Sequence, residues 1–268
     1  MSNASTATTV DRIRAIVVLV AFPVTIAAAA LGSGAFGGTE VQAGGDGAFA
    51  ATATPLAPAG PAFSIWSIIY LGLAAYAIWQ VLPRHHDEPR QRAMGWLALA
   101  SLVLNAAWIL ASTSGLVALT VVIIVALLLS LIVIFVVMVR TPPSTIVERV
   151  VVDGTFGLYL GWVCVATVAN VAAWLADMGL QPDAFELPAS IMLVVVAAVG
   201  VALAIYGKGR IGPMLAIVWG VAWLAVGRAT SEPESVPLAV VAIVVAIVVA
   251  AATVAARLRS RGTHRSHA

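Results

Sequence analysis

Val, Ala, Leu and Ile fill runs of about 20 residues along this chain, the length that crosses a hydrocarbon core at about 1.5 Å of rise per residue. Eight such runs stand out, at Ile13–Leu31, Ala62–Leu82, Ala93–Ser112, Leu116–Val139, Val151–Leu175, Leu187–Tyr206, Ile211–Val226 and Val236–Ala256. Polar and charged residues collect in the connections between them. The pattern predicts an all-α polytopic membrane protein of eight transmembrane helices, with the lipid bilayer as its surroundings. Composition agrees, since 62% of the 268 residues are hydrophobic and 10% are charged, against about 45–50% and about 25% in soluble domains. So few charges cannot cover a globule of this size, and the mean hydropathy of +1.05 excludes disorder as well. The single cysteine, Cys164, lies inside an apolar run, so an intrachain disulfide is excluded.

The connections alternate in charge. Arg12 and Arg14 stand at the start of the first span, and Arg84, Arg90 and Arg92 follow the second. Arg140 and Arg149 flank the loop after the fourth, Lys208 and Arg210 follow the sixth, and Arg257, Arg259, Arg261 and Arg265 occupy the tail. The intervening loops carry Glu40 and Asp46, then no charge at Ser112–Gly115, then Asp177, Asp183 and Glu186, then Arg228 with Glu232 and Glu234. Every basic residue except Arg228 therefore falls on one side, which the positive-inside rule makes cytoplasmic. Both termini are expected inside a cell membrane, and the net charge of +2 reports orientation, not a nucleic-acid partner. The two arginines, apolar stretch and small residues of Ala27–Ala35 also resemble a secretory signal with its cleavage region.

Ionisable groups inside a membrane are costly, so each is a candidate for function. Asp153 is the deepest, and its spacing pairs it with Arg149 at the end of the fifth span, the alternative being a proton or cation site. No span carries the acid-and-base chain of a proton-coupled pump. Lys208, the one lysine, sits in a loop and offers no attachment point for retinal. His85 and His86 with Asp87 and Glu88 have ligand chemistry, but their adjacent spacing reads as a solvated loop, as do His264 and His267 in the tail. No metal, catalytic nucleophile–base pair or phosphate-binding loop is expected.

Aromatic and amide chemistry remains. Phe63, Trp66 and Tyr70 fall at i, i+3 and i+7 on one face of the second span, and Ser101, Asn105 and Trp108 share a face of the third. Tyr159, Trp162, Ala166 and Asn170 stack along the fifth. An unpaired amide in hydrocarbon is costly, so Asn105 and Asn170 should face other helices or a cavity. Their simplest role is interhelical hydrogen bonding. Trp79, Trp96 and Trp174 lie near span ends and read as interfacial belt residues, and Trp219 and Trp223 fit either belt or packing. The fourth span, Leu116–Val139, lacks Trp, Tyr, Asp and Gln, so its expected contribution to a pocket is shape alone.

At these residues the sequence resembles the TspO/translocator-protein family, also called tryptophan-rich sensory proteins. Pro55-Leu-Ala-Pro58 and Pro61-Ala-Phe-Ser-Ile-Trp66-Ser-Ile-Ile-Tyr70 resemble its proline-rich entry to the second helix and Trp-x-x-x-Tyr core. Leu104-Asn105-Ala-Ala-Trp108 resembles its Leu-Asn-x-x-Trp signature, and Trp162-Val-Cys-Val-Ala166-Thr167-Val-Ala-Asn170 its Trp-x-x-x-Ala-Thr-x-x-Asn pattern. The resemblance covers about residues 12–176. It divides the chain into a five-helix bundle at 1–176 and three additional helices with a basic tail at 177–268. It implies a pocket between helices, opening under the 32–61 loop, that binds porphyrins or related tetrapyrroles, and it implies a homodimer. By motif position, Trp66, Asn105, Trp108, Trp162, Ala166 and Asn170 would line this pocket, and helix-face spacing adds Phe63, Tyr70 and Tyr159. The Gly- and Ala-rich 32–61 loop suits a mobile lid. Ala172-Ala-Trp-Leu-Ala-Asp177 lacks the basic residue of the eukaryotic cholesterol-recognition pattern, which argues against sterol binding.

The expected function is a membrane-embedded sensor or binding protein for a flat hydrophobic ligand. No cofactor is required; a porphyrin or haem would enter as the ligand. The alternatives are a transporter of tetrapyrroles or other small hydrophobic molecules and a light-dependent porphyrin-degrading enzyme. Gly157-Leu-Tyr-Leu-Gly161 permits close helix approach, either between two copies or within one chain.

Overall fold

The computed structural model describes residues 7–34 and 40–265, with side chains as far as residue 261. Among these residues eight helices are long and apolar enough to cross a membrane: α1 (Thr9–Gly32), α2 (Ile65–Val81), α3 (Pro89–Thr113), α4 (Val117–Arg140), α5 (Thr155–Asp177), α6 (Glu186–Tyr206), α7 (Ile211–Thr230) and α8 (Val236–Arg265). Their ends follow local chemistry. Thr8 and Asp11 cap α1 reciprocally, each side chain bonding the other's backbone N–H, and Pro89 opens α3 where a missing N–H costs nothing. Gly115, at φ 72°, adopts the left-handed turn that reverses the chain between α3 and α4.

The outward faces remain apolar. Leu71 and Leu187 are each 72% exposed, and comparable Val, Ile and Leu residues lie along every span, the surface that hydrocarbon and not water would cover. Inside, one apolar cluster joins α1 to α5 around Ile69, Leu73, Leu131, Phe156 and Leu160. A second unites α6, α7 and α8 around Leu193, Ile217, Val221, Leu238 and Val245. Helices α5 and α7 form the joint, with Val165 of α5 in the second cluster and Ala216 of α7 in the first. They meet along Gly157 and Gly161. A Cβ at Gly161 would collide with the Pro213 carbonyl oxygen, so the small-residue seam is used within the chain.

The helix ends separate into two faces. On the basic face, the ends of α1, α3, α5 and the α6–α7 turn share charged contacts. On the other, the described part of the 32–61 loop forms a lid of short turns, Val41–Ala43 and Gly44–Gly47, before the 3-10 turn Gly60–Ser64 leads into α2. The lid is fastened at several points. Gly44 lies so close to the Ser112 carbonyl that a Cβ would not fit. Ala59 N–H donates to the Trp223 carbonyl at 3.2 Å, and the Trp219 indole donates to the Ala62 carbonyl at 2.8 Å. Trp219 and Trp223 thus tie α7 to the lid.

Several helices run past the predicted spans: α1 starts at Thr9, α3 starts at Pro89 and α8 continues beyond Ala256, and two further differences move charged residues. The fifth span starts earlier, at Ile146, and passes through a π-helical turn at Arg149–Gly154 before α5 proper. Helix α7 continues past Val226 to Thr230, carrying Arg228 inside the fold at 0% exposure instead of in a loop.

Candidate functional site

A cavity of about 340 Å³ lies beneath the lid, between α1, α2 and α3. Phe63, Trp66 and Tyr70 line it along one face of the second span, and Trp108 and Ile109 of α3 and Val41 of the lid complete most of its wall. Helix α1 contributes Ala29 and Gly32, small residues that leave room opposite the rings. Within the stretch that resembles a cleavage region, residues 27–32 are helical, and Ala29 and Gly32 form part of one wall. Glu40 and Gln42 stand at the lid side as the charged and amide groups of the lining.

A smaller cavity of about 50 Å³ adjoins it, sharing Val41, Phe63 and Trp108 and adding Phe49, Trp162, Ala166 and Asn170. Aromatic packing connects the two. Trp66 stacks on Tyr70 with centroids 5.2 Å apart, and its ring meets Tyr159 and Trp162 edge to face at 5.7 and 6.3 Å. Phe63 meets Trp162 at 5.7 Å, and Phe49 of the lid meets Trp108 at 5.6 Å. Such offset and perpendicular pairs favour a fixed ring geometry.

Hydrogen bonds hold three of the rings, Tyr70, Tyr159 and Trp108. The Tyr70 hydroxyl donates to Asn105 Oδ1 at 3.1 Å, and the Tyr159 hydroxyl to the Ser101 carbonyl at 3.2 Å. The Trp108 indole donates to Asn170 Oδ1 at 2.7 Å, and Asn170 Nδ2 donates to Thr120 Oγ1 at 2.8 Å. Of the nine residues named from sequence, seven line one cavity or the other. Asn105 and Tyr159 line neither; both are buried one layer behind and orient Tyr70 and Trp66. The fourth span contributes more than shape, because Thr120 fixes the Asn170 amide. A threonine within a Val/Ile/Leu run gave no periodic signal for that role.

The basic face holds what the sequence reading left out. Asp153 does not pair with Arg149. The π-helical turn leaves Arg149 exposed and carries Asp153 inward, where Arg90 and Arg210 both bond its carboxylate. Arg90 also reaches Glu148 at 2.7 Å, and Arg210 donates to the Met138 carbonyl at 2.6 Å. Nearby, Asp11 accepts from Arg14 at 3.0 Å and from Arg92 at 2.7 Å. Arg90, Glu148, Asp11 and Arg14 are all buried. The predicted spans leave Asp11, Arg90 and Glu148 outside, whereas the helices continue through them.

Two further expectations change on this face. His85 is buried, its ring stacked on Trp79 at 3.9 Å and its Nδ1 2.6 Å from Glu88 Oε1. The 3-10 turn Pro83–His85 folds the loop back under α2, so this segment is packed instead of solvated, and Trp79 is no belt residue. Trp96, 45% exposed, keeps a belt position. Among the described residues, no group of three or more His, Cys, Asp or Glu side chains is arranged to hold a metal. The side chain of His264, and His267 altogether, lie outside the described residues.

The comparison with known families agrees with this architecture. No curated protein and no solved structure gives a match. The family model for TSPO-like protein matches residues 15–255, taking in the helices beyond residue 176 as well as the five before it. With most of its length inside that match, from the first span into the last, the chain belongs to the TSPO-like protein family.

Proposed function

We propose that this protein binds a flat hydrophobic ligand of the porphyrin or tetrapyrrole class in the cavity beneath the lid. The observation that carries the reading is the cavity itself. Its volume of about 340 Å³ falls in the range of small-molecule sites, about 300–1,000 Å³. Three rings on one helix face stand opposite a fourth on α3, a lining that offers stacking and edge contacts without requiring charge on the ligand. Membership of a membrane ligand-binding or transport family supports the same reading. The basic face is cytoplasmic in this proposal and the lid faces outward across a cell membrane, following the distribution of Arg and Lys.

Binding is favoured over turnover because two polar ring atoms of the lining, Tyr70 OH and Trp108 Nε1, are already committed to Asn105 and Asn170. The test is a titration of the full chain in phosphatidylcholine nanodiscs with protoporphyrin IX, followed by tryptophan fluorescence and the porphyrin absorbance band. Saturable quenching is expected, with affinity about tenfold weaker in Trp66→Leu, a loss of about 1.4 kcal/mol. Quenching that never saturates, or that is unchanged in the variant, overturns the assignment. Porphyrin absorbance that survives illumination equally with and without protein separates binding from degradation, and sealed vesicles without net flux separate it from transport.

A further inference from the structure

A third cavity, of about 130 Å³, lies between the lid-side ends of α5 and α6 and shares no lining residue with the main cavity beneath the lid. Its walls are almost wholly apolar: Leu56 from the lid, Val168, Ala172 and Leu175 from α5, and Phe185 and Met192 from the α6 side. Pro55 of the lid, Pro182 of the α5–α6 loop and Pro188 in the first turn of α6 also line it. Proline fixes its own φ and stiffens the residue before it, so these segments resist collapsing into the void.

A second observation points to a ligand. Thr54 lines both this cavity and the small one beside Trp162. It is 2% exposed, and its hydroxyl has no hydrogen-bond partner among the described residues. Three other buried or half-buried threonine hydroxyls are satisfied locally: those of Thr25, Thr167 and Thr253 each bond a carbonyl four residues back. Thr54 sits in a turn where no such carbonyl serves it. A buried, unpaired hydroxyl in an apolar wall is a costly arrangement unless something completes it.

We propose that this cavity is a second binding site, for a small uncharged molecule that is mostly hydrocarbon and carries one hydroxyl or carbonyl, which Thr54 would hydrogen-bond. Its volume is close to that of an engineered cavity of about 150 Å³ that admits a single benzene ring, so one ring with one oxygen fits the chemistry. The site stands independently of porphyrin binding beneath the lid. It gives α6 a role in the protein's chemistry, because α6 supplies one wall.

A photoreactive phenol bearing a diazirine tests it on the full chain in phosphatidylcholine nanodiscs, with crosslinks mapped by peptide mass spectrometry. Saturable labelling between residues 168 and 192 is expected, competed by excess phenol and much weaker for the same diazirine lacking the hydroxyl. Thr54→Val, which keeps the side-chain shape, should lower labelling by the phenol about fivefold and leave the hydroxyl-free probe unchanged. Ala172→Trp should abolish labelling by both, while an unchanged thermal midpoint confirms the fold. Labelling that rises linearly without saturating marks acyl chains in the cavity and overturns the proposal, as does equal phenol labelling of wild type and Thr54→Val.

Discussion

The two faces of this bundle use polar groups in opposite ways. On the basic face, Arg90, Glu148, Asp153 and Arg210 bond one another and close the ends of α3, α5 and the α6–α7 turn around full charges. On the lid face, neutral amides and hydroxyls position aromatic rings around a cavity. Full charges buried together hold only if every partner stays, which makes a rigid closure. Neutral hydrogen bonds behind an aromatic wall are individually weak and leave the wall free to meet a ligand. The difference assigns stability mainly to one end and recognition to the other.

That division is open to direct attack, beginning where the effect is largest. Arg90→Leu leaves Glu148 without its arginine and removes one of the two on Asp153, and breaking a buried pair in this way costs about 3–5 kcal/mol. A large drop in the thermal midpoint is expected in detergent, with porphyrin affinity of the folded fraction nearly unchanged. Loss of affinity without loss of stability would reverse the assignment of the two ends. Arg228→Met comes next. Its guanidinium donates to the carbonyls of Pro233 at 2.8 Å and Ala51 at 3.1 Å, and charged hydrogen bonds contribute about 1.5–3 kcal/mol. Because Ala51 belongs to the lid, faster porphyrin release by stopped flow is expected in addition to a lower midpoint. A release rate equal to wild type would show that the lid does not depend on this contact.

Asn170→Leu disconnects Trp108 from Thr120, and the unpaired indole costs about 1–2 kcal/mol, while the Thr120 hydroxyl keeps its bond to the Val117 carbonyl. Its signature is a change in Trp108 fluorescence and weaker porphyrin binding with a modest midpoint shift. Tyr70→Phe is the mildest, removing one interhelical hydrogen bond of about 0.6 kcal/mol. Porphyrin affinity should change less than threefold, and a larger loss would mean that the hydroxyl itself meets the ligand.

Legibility in the sequence divides along the same line. The eight spans can be read because an apolar run of sufficient length has few alternatives to a membrane helix. The aromatic face of α2 can be read because positions 63, 66 and 70 share a face by spacing alone. Asn105 and Asn170 announce themselves as polar groups in hydrocarbon, although spacing does not distinguish lining a cavity from standing behind it. The ion pairs at the basic end resist such reading. Arg90 and Asp153 are 63 residues apart, and only the packing of α3 against the π-helical turn brings them together. Local proximity instead favoured Arg149, four residues from Asp153, and the widened turn sends the two in different directions. The lid fastenings are hidden for a simpler reason: most involve backbone carbonyls, which carry no residue signature.

The seam between α5 and α7 has a consequence for assembly. Gly157 and Gly161 form the kind of smooth track along which two copies of a membrane protein often associate, yet Gly212 and Pro213 of the same chain already lie on it. The C-terminal helices therefore occupy the berth that a neighbouring subunit would otherwise take. That surface is closed to a second copy of the chain.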